Sequence, residues 1–193
     1  MSRSMAVRGV AAIAALALAG GVGRAEESAR YPAESYTAIV KCQADTTGLN
    51  AGEIQVMIAI LRPLAVEEAL PLRDLLRTGG QQALLSAIRA SVRGMLRFGG
   101  LEYSLDLVVE QQQGPTRHIV IVTTRPIHVG ETNAGSASLD YPFGVAIFDV
   151  DELGRGEGTV YPKAALEILE DGTVGVSTFE DRTYPFTRMK REK

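Results

Sequence analysis

The sequence predicts an α+β domain: an antiparallel, strand-rich curved sheet or half-barrel with a two-helix insertion after the second strand. Two observations predict this class. After Gly94, apolar side chains recur at every second position, as in strands with one buried face. Between residues 66 and 88 the spacing changes to that of an amphipathic helix. Short turns separate the strands, so neighbours in sequence are expected to pair antiparallel.

Residues 1–25 predict a cleavable secretory signal peptide. Arg3 and Arg8 give it a basic start, and the apolar run VAAIAALAL occupies residues 10–18. Small residues at Gly23 and Ala25 then suit cleavage by signal peptidase. The apolar run is shorter than the roughly 20 residues that cross a bilayer. A buried N-terminal helix is the alternative interpretation, but such a helix would be apolar on every face.

Removal of the leader leaves 168 of the 193 residues and changes the formal net charge from −3 to −6. This charge argues against nucleic acid as a partner. We expect a flexible lead-in at 26–35 and one strand-rich domain at 36–193, without a membrane span, in the periplasm or outside the cell. Cys42 is the lone cysteine, which excludes an intrachain disulfide. It is either a reactive or intermolecularly bonded thiol, or a small apolar side chain in a strand.

Individual elements follow from the same patterns. The run at 54–61 is almost wholly apolar and predicts a strand buried on both faces. Thr78-Gly79-Gly80 separates two helices, the first of which either starts near Pro71 or kinks there. The strand at 103–110 is half-buried, with Ser104, Asp106 and Glu110 facing outward. Further strands are predicted at 36–42, 118–124, 141–150, 158–161, 165–169, 174–179 and 184–189, with turns at 111–115, 153–156 and Asp171-Gly172 and a loop at 130–138.

Several short motifs occur together in this chain. They are TGGQQALL at 78–85, RHIV at 117–120, TRPI at 124–127, SLDYPF at 138–143 and GRGEG at 154–158. In this order they resemble a family of uncharacterised exported bacterial proteins. The resemblance implies export, but no activity, cofactor or substrate. This chain has His128-Val129-Gly130 where the family has aromatic residues before the loop glutamate, so an aromatic ligand contact is not expected there.

The sequence predicts no metal site and no cofactor. His118 and His128 have no cysteine pair and no acidic residue at helical spacing near them. The acidic segment 149–154 imitates the start of a calcium loop, but Leu153 and Val160 stand where oxygen ligands are required. We interpret this segment as an acidic hairpin turn.

One group of charged residues is a candidate site: Arg125, Glu131, Asp140 and Glu157. Arg125 ends one predicted strand and Asp140 opens the next, so antiparallel pairing brings both to the same rim of the sheet. A bidentate arginine–carboxylate pair fits there. It is either a clamp on the loop, which we prefer, or part of a rim site for a polar or anionic ligand.

Three functions follow from these features. The first is a non-enzymatic binding or interaction module, with an apolar cleft for a small apolar ligand or a surface for an envelope protein. The second is a carboxylate-dependent hydrolase or isomerase at the loop rim. The third is a structural envelope component whose exposed edge strand recruits partners.

Cleavage of the leader gives the first testable prediction. A chain expressed with its own leader in a secreting host should have Glu26 as its first residue, as measured by intact mass. Ala25→Leu should leave the chain uncut, because signal peptidase rejects bulky residues at this position. An uncut wild-type chain in the cytosol would contradict the prediction of export.

Overall fold

The computed structural model describes residues 11–12, 34–42, 52–129, 139–168, 174–179 and 183–192. These ranges contain eleven strands and one helical segment, α1 (Val66–Ile88). The strands are β1 (Ala11–Ala12), β2 (Glu34–Cys42), β3 (Gly52–Ile60), β4 (Gly94–Phe98), β5 (Leu101–Leu105), β6 (Leu107–Gln113), β7 (Thr116–Thr123), β8 (Phe143–Val150), β9 (Arg155–Ile168), β10 (Val174–Thr178) and β11 (Tyr184–Arg191). Most of the predicted signal peptide, residues 26–33, the loop 130–138 with Glu131, and the Asp171-Gly172 turn lie outside the described residues.

Nine strands form one antiparallel sheet in the order β5-β4-β3-β2-β11-β9-β8-β7-β6. β10 pairs with the C-terminal part of β9, and β1 pairs with β10. The two ends of the order, β5 and β6, are consecutive in the chain, so the sheet nearly closes on itself. The predicted α+β class with a curved antiparallel sheet is confirmed. Among the described residues, no helix is long and apolar enough to cross a membrane.

Asp106 forms the seam between β5 and β6. Its N–H donates to the Val122 carbonyl of β7 (2.9 Å), and its carboxylate accepts hydrogen bonds from the Thr124 N–H (2.9 Å) and hydroxyl (2.8 Å). Only 3% of Asp106 is exposed. The prediction that Asp106 faces outward is therefore wrong, because the strand alternation is interrupted where the chain passes from β5 to β6.

Two hydrophobic clusters lie on the two faces of the sheet. The inner cluster fills the concave face and draws on β2 to β9, on β11 and on Ile127 and Val129 after β7. The outer cluster lies between α1 and the outer face of β6 to β10. Its largest members are Leu76, Leu84 and Ile88 of the helix and Phe143 and Tyr161 of the sheet. β8 is consequently buried on both faces along nearly its whole length.

The strand β3 differs from its prediction. Val56, Ile58 and Ile60 are buried, but Met57 and Ala59 between them are only half-buried. The prediction of burial on both faces is wrong for β3, because α1 covers the other half of the sheet. The strands that α1 does cover, β7 and β8, are the ones that are buried on both faces.

The helical insertion is one segment interrupted at Gly80. Gly80 has φ 68° and ψ −164°, a left-handed conformation that favours glycine, and it divides the segment as the glycine pair predicted. The segment begins at Val66, five residues before Pro71, and Gly80 is its non-helical residue. Pro71 therefore neither starts nor breaks the helix, contrary to the prediction. It lies in the second turn, where its main cost is one missing N–H donor.

The strand β9 replaces two shorter predicted strands at 158–161 and 165–169. It is continuous over 14 residues, with an irregular register opposite Phe143 and Val145 of β8. Pro162 lies at this irregularity, where a proline is tolerated within a sheet. The Pro162 carbonyl also accepts a hydrogen bond from the Ile127 N–H (2.9 Å), which fastens the segment after β7 to β9.

Gly158 determines how closely β9 approaches the inner cluster. It pairs with Phe148 on β8 and with Phe186 on β11, whose rings meet edge to face with centroids 6.3 Å apart. A Cβ at Gly158 would lie 2.5 Å from the Phe148 Cβ and closer still to the Ile147 carbonyl oxygen. The backbone of β8 at Ile147 and Phe148 thus occupies the space that a side chain at 158 would need.

The close contact at Gly158 predicts that Gly158→Ala lowers the free energy of unfolding by about 3 kcal/mol, the upper end for overpacking a core. Gly100→Ala is the matched control, because a Cβ there would meet nothing within 4 Å, and we expect a change within about 0.5 kcal/mol. Chemical denaturation measures both. Equal stability of the two variants would contradict the assigned role of Gly158.

Candidate functional site

Arg125 and Asp140, two of the predicted site residues, lie at the same end of the sheet. Thr123 at the end of β7 pairs with Gly144 at the start of β8. Arg125 follows this pair in the chain, and Asp140 precedes it. We call this end of the sheet the rim. Glu131, a third predicted site residue, lies outside the described residues.

Arg125 is held against β5. Its guanidinium carbon is 4.6 Å from the centroid of the Tyr103 ring, and Nη2 donates a hydrogen bond to the Glu102 carbonyl oxygen. The Tyr103 hydroxyl accepts a hydrogen bond from the His128 N–H (2.8 Å), so the segment after β7 lies across β5. Asp140 is exposed beside the start of β8. Pairing of Arg125 with Asp140 stays a prediction.

Glu157, the fourth predicted site residue, does not belong to the rim. It pairs with Asp149, six residues along β8 from Phe143. At about 3.3 Å per residue this is roughly 20 Å from the rim end of β8. The four predicted residues therefore do not form one cluster.

His118 and Glu157 lie on either side of Asp149 in a row across the outer face. His118 pairs with Asp149 in the sheet register, and its Nδ1 is 2.7 Å from the Asp149 carboxylate. Its Nε2 is buried and has no hydrogen-bond partner among the described residues. An oriented histidine acts in catalysis with a nucleophile or a metal. Within the described ranges, no three or more His, Cys, Asp or Glu side chains are arranged to hold a metal ion.

A second charged cluster spans the inner face at the end opposite the rim. Arg117 of β7 reaches Glu34 of β2, and these strands are not neighbours in the sheet. Arg117 Nη2 donates to Glu34 (2.9 Å) and Nε donates to Glu110 (2.6 Å). The Tyr36 hydroxyl donates to the same Glu34 carboxylate (2.8 Å). Each charge in this cluster has an opposite partner, which is the pattern of a structural cross-link.

The pKa values in this cluster agree with a structural role. Burial by itself would raise the pKa of Glu34, but hydrogen bonds from Arg117 and Tyr36 outweigh it and hold that pKa below the ordinary value. Burial, and then the hydrogen bond to Glu34, raise the pKa of Tyr36. Arg117 also has a raised pKa, chiefly through its hydrogen bond to Glu110. All of these groups therefore keep their ordinary charge at neutral pH, which does not suit proton transfer.

The rim carries an exposed apolar surface. The rings of Tyr141 and Phe179 meet edge to face with centroids 5.6 Å apart, and Lys163 Nζ lies 5.4 Å from the Phe179 centroid. Phe179 is 40% exposed, and the neighbouring Leu139 is 75% exposed. We call Leu139, Tyr141, Lys163 and Phe179 the aromatic rim patch.

Two glutamines of α1 fasten the helix to the rim. Gln81 Nε2 donates to the Leu166 carbonyl (2.6 Å), and Gln81 Oε1 accepts from the Leu166 N–H (3.0 Å). This pair of bonds satisfies the backbone of β9 beyond the end of β8. Gln82 Nε2 donates to the Leu139 carbonyl (3.0 Å). Because both glutamines follow the break at Gly80, the break turns them towards the rim.

Sequence reasoning missed the aromatic rim patch and the two glutamines. Tyr141 and Phe179 are 38 positions apart, and only the pairing of β8, β9 and β10 brings them together. The two glutamines could have been identified from the sequence, since two amide side chains directly follow a helix-breaking glycine.

Cys42 is a free, half-buried thiol packed against the inner cluster. Burial raises its pKa, which disfavours the reactive thiolate. These observations agree with a small apolar role.

Comparison of this chain with protein-family models, with curated proteins and with solved structures finds no match.

The charged cluster of Arg117, Glu34, Glu110 and Tyr36 predicts that the protein loses stability at low pH. Because the pKa of Glu34 is lowered on folding, its contribution is complete above its unfolded value of about 4.3 and is lost as the pH falls through the lowered folded value. We expect Glu34→Gln to cost about 2 kcal/mol at pH 7 and almost nothing at pH 2.

Urea denaturation of wild type and variant at both pH values checks this prediction. Glu102→Gln is the matched control, because its pair with Arg97 is about half exposed and should contribute less than about 1 kcal/mol. A stability difference for Glu34→Gln that stayed the same at both pH values would rule out the ionised carboxylate as its cause.

Proposed function

We propose that this chain is an exported, non-enzymatic interaction module that binds a partner protein through the aromatic rim patch. The single observation that carries the proposal is the exposed Phe179, packed against the half-buried Tyr141 ring beside the exposed Leu139, on a body whose other large apolar side chains are mostly buried. Aromatic side chains are enriched at the centres of protein interfaces, where they supply much of the binding energy.

The inner face of the sheet supports a surface site over an internal one. It is occupied by the chain's own side chains, including Tyr36, Phe148 and Phe186, which are at most 2% exposed. Tyr36 and Phe148 meet edge to face with centroids 5.6 Å apart. Where these rings pack, a small apolar ligand would have to displace them.

The charged groups support binding over catalysis. In the part of the chain that the structure describes, the carboxyl groups with a displaced pKa are Glu34, Glu68 and Glu192, and each has a pKa below the ordinary value. Hydrolases and isomerases that use a carboxylic acid as general acid require a raised pKa. The displaced groups have the opposite shift, which is explained chiefly by hydrogen bonds from Arg117 to Glu34, from Arg93 to Glu68 and from Thr37 to Glu192.

The geometry of the aromatic rim patch also suits a rigid contact surface. Gln82 fixes the Leu139 backbone to α1, and β9 carries Lys163 next to the buried Ala164. A surface that is already ordered loses little conformational entropy when a partner binds. Lys163 over the Phe179 ring leaves a positive charge at the border of the patch, opposite in sign to the predicted net charge of the mature chain.

Site-specific photocrosslinking in the source cell tests the proposal. Benzoylphenylalanine in place of Phe179 should give one adduct with an exported protein, identified by mass spectrometry and reproduced from the partner's side. The same probe at Leu153, which is 70% exposed at the opposite end of the sheet, is the matched control and should not give it.

A second substitution tests the role of the aromatic pair. Tyr141→Ala should lower the yield of the Phe179 adduct at least about tenfold, which corresponds to 1.4 kcal/mol. Circular dichroism of the same variant shows that it is folded. Equal adducts from positions 179 and 153, or an adduct unaffected by Tyr141→Ala, would refute the proposal.

A further inference from the structure

The outer edge of β10 is only partly paired. On one side, all five residues of β10 pair with β9, from Val174 opposite Ile168 to Thr178 opposite Ala164. On the other side, among the residues that the structure describes, Ala11 pairs with Val176 and Ala12 pairs with Gly175. Within the described ranges, strand partners on this side are thus present for two of the five positions of β10.

The sequence of β10 has no protection against strand addition. It reads VGVST, without a charged residue or a proline. Exposed edge strands usually carry lysine, proline or a bulge, because an unprotected edge offers its N–H and C=O groups to any extended chain. Val176 is buried in the outer cluster, so β10 is held firmly against the body.

The two edge strands of the main sheet, β5 and β6, differ from β10 in this respect. β5 carries the charged Glu102, and Leu64 donates its N–H to the Val108 carbonyl of β6 (2.6 Å). The remainder of β6 carries Glu110 and a run of glutamines. Among the edge strands that the structure describes, β5, β6 and β10, only β10 therefore lacks a charged residue.

The pairing with β1 indicates what this edge accepts. Ala11 and Ala12 belong to the apolar run at 10–18, which is rich in alanine and free of charge. They pair antiparallel to β10. If the leader is cut after Ala25, this pairing is removed and the whole edge becomes available. Both packed clusters draw their members from residues after 33, so the cut chain keeps its complete core.

We propose that the outer edge of β10 is a strand-addition site for an extended, uncharged segment of the partner protein, rich in small residues, and that the chain's own leader occupies it before cleavage. This inference rests on the proposed function, because Phe179 of the aromatic rim patch directly follows β10. The partner strand would form main-chain hydrogen bonds along Val174–Thr178, and its end would meet the Phe179 ring.

Amide hydrogen exchange of the full chain tests the occupied state. The double substitution Ala11→Pro and Ala12→Pro removes two N–H donors and disfavours pairing, so exchange of the outward amides of β10 should accelerate at least about tenfold. The matched control, Ala17→Pro, alters the same apolar run outside the pairing and should leave β10 unchanged. Unchanged exchange in the double variant would overturn the proposed occupation by the leader.

A peptide tests the freed state. The chain that begins at Glu26 should bind a synthetic peptide of residues 9–18, with protection confined to β10, and the same peptide with prolines at 11 and 12 should not bind. Ser177→Lys, which adds an edge charge, should weaken binding of the first peptide at least about tenfold. Equal binding of both peptides, or binding unaffected by Ser177→Lys, would overturn the inference.

The two proposals can fail separately. Crosslinks from Phe179 together with a peptide that leaves β10 unprotected would leave the aromatic rim patch as a partner site but remove strand addition. Protection of β10 by the peptide without a specific crosslink from Phe179 would keep strand addition and remove the patch as the partner's contact.

Discussion

Strands β7 and β8 have to keep both of their faces out of water, and the rest of the fold is arranged around them. On the concave side this requires the sheet to curve until the far strands β2 and β3 meet them, with Phe148, Phe186 and Tyr36 between. Where the sheet curves, β9 has to fit between β8 and β11. Gly158, which pairs with Phe148 on one side and with Phe186 on the other, provides the space because it has no side chain. On the convex side the same strands need a cover, which α1 provides.

The position of α1 links this packing to the surface proposed for binding. The helix covers the outer cluster with Leu76 before its break at Gly80 and with Leu84 and Ile88 after it. The break directs Gln81 to the backbone of β9 and Gln82 to the backbone beside Leu139. A feature that completes the core thus also fixes the start of β8, where the aromatic rim patch lies.

Much of the architecture could be predicted from the sequence, because it depends on local patterns. Alternation of apolar residues predicted antiparallel strands, and the glycine pair predicted the break in the helical insertion. The face covered by α1 could not be predicted: the runs of β3 and β8 are equally apolar, yet only β8 is covered. The seam at Asp106 and the continuity of β9 across Pro162 also depend on tertiary partners, Thr124 and Ile127, that no local pattern identifies.

The candidate site was predictable only in part, for the same reason. The expected antiparallel pairing of the two strands was enough to predict that Arg125 and Asp140 lie at the same end of the sheet. Glu157 was assigned to that end although the β8–β9 hairpin turns at the opposite one. Tyr141 and Phe179 carry no motif, since exposed aromatic residues acquire meaning only when the fold brings them together.

The place of β11 in the sheet has a consequence for how this chain matures. The last strand of the sequence lies between β2 and β9, near the middle of the strand order. Until it arrives, the ladder from β2 to β5 and the ladder from β6 to β9 each present an open edge, and their shared core is incomplete. Because pairings between such distant segments form late, both ladders keep an open edge until β11 has paired with its two neighbours, β2 and β9.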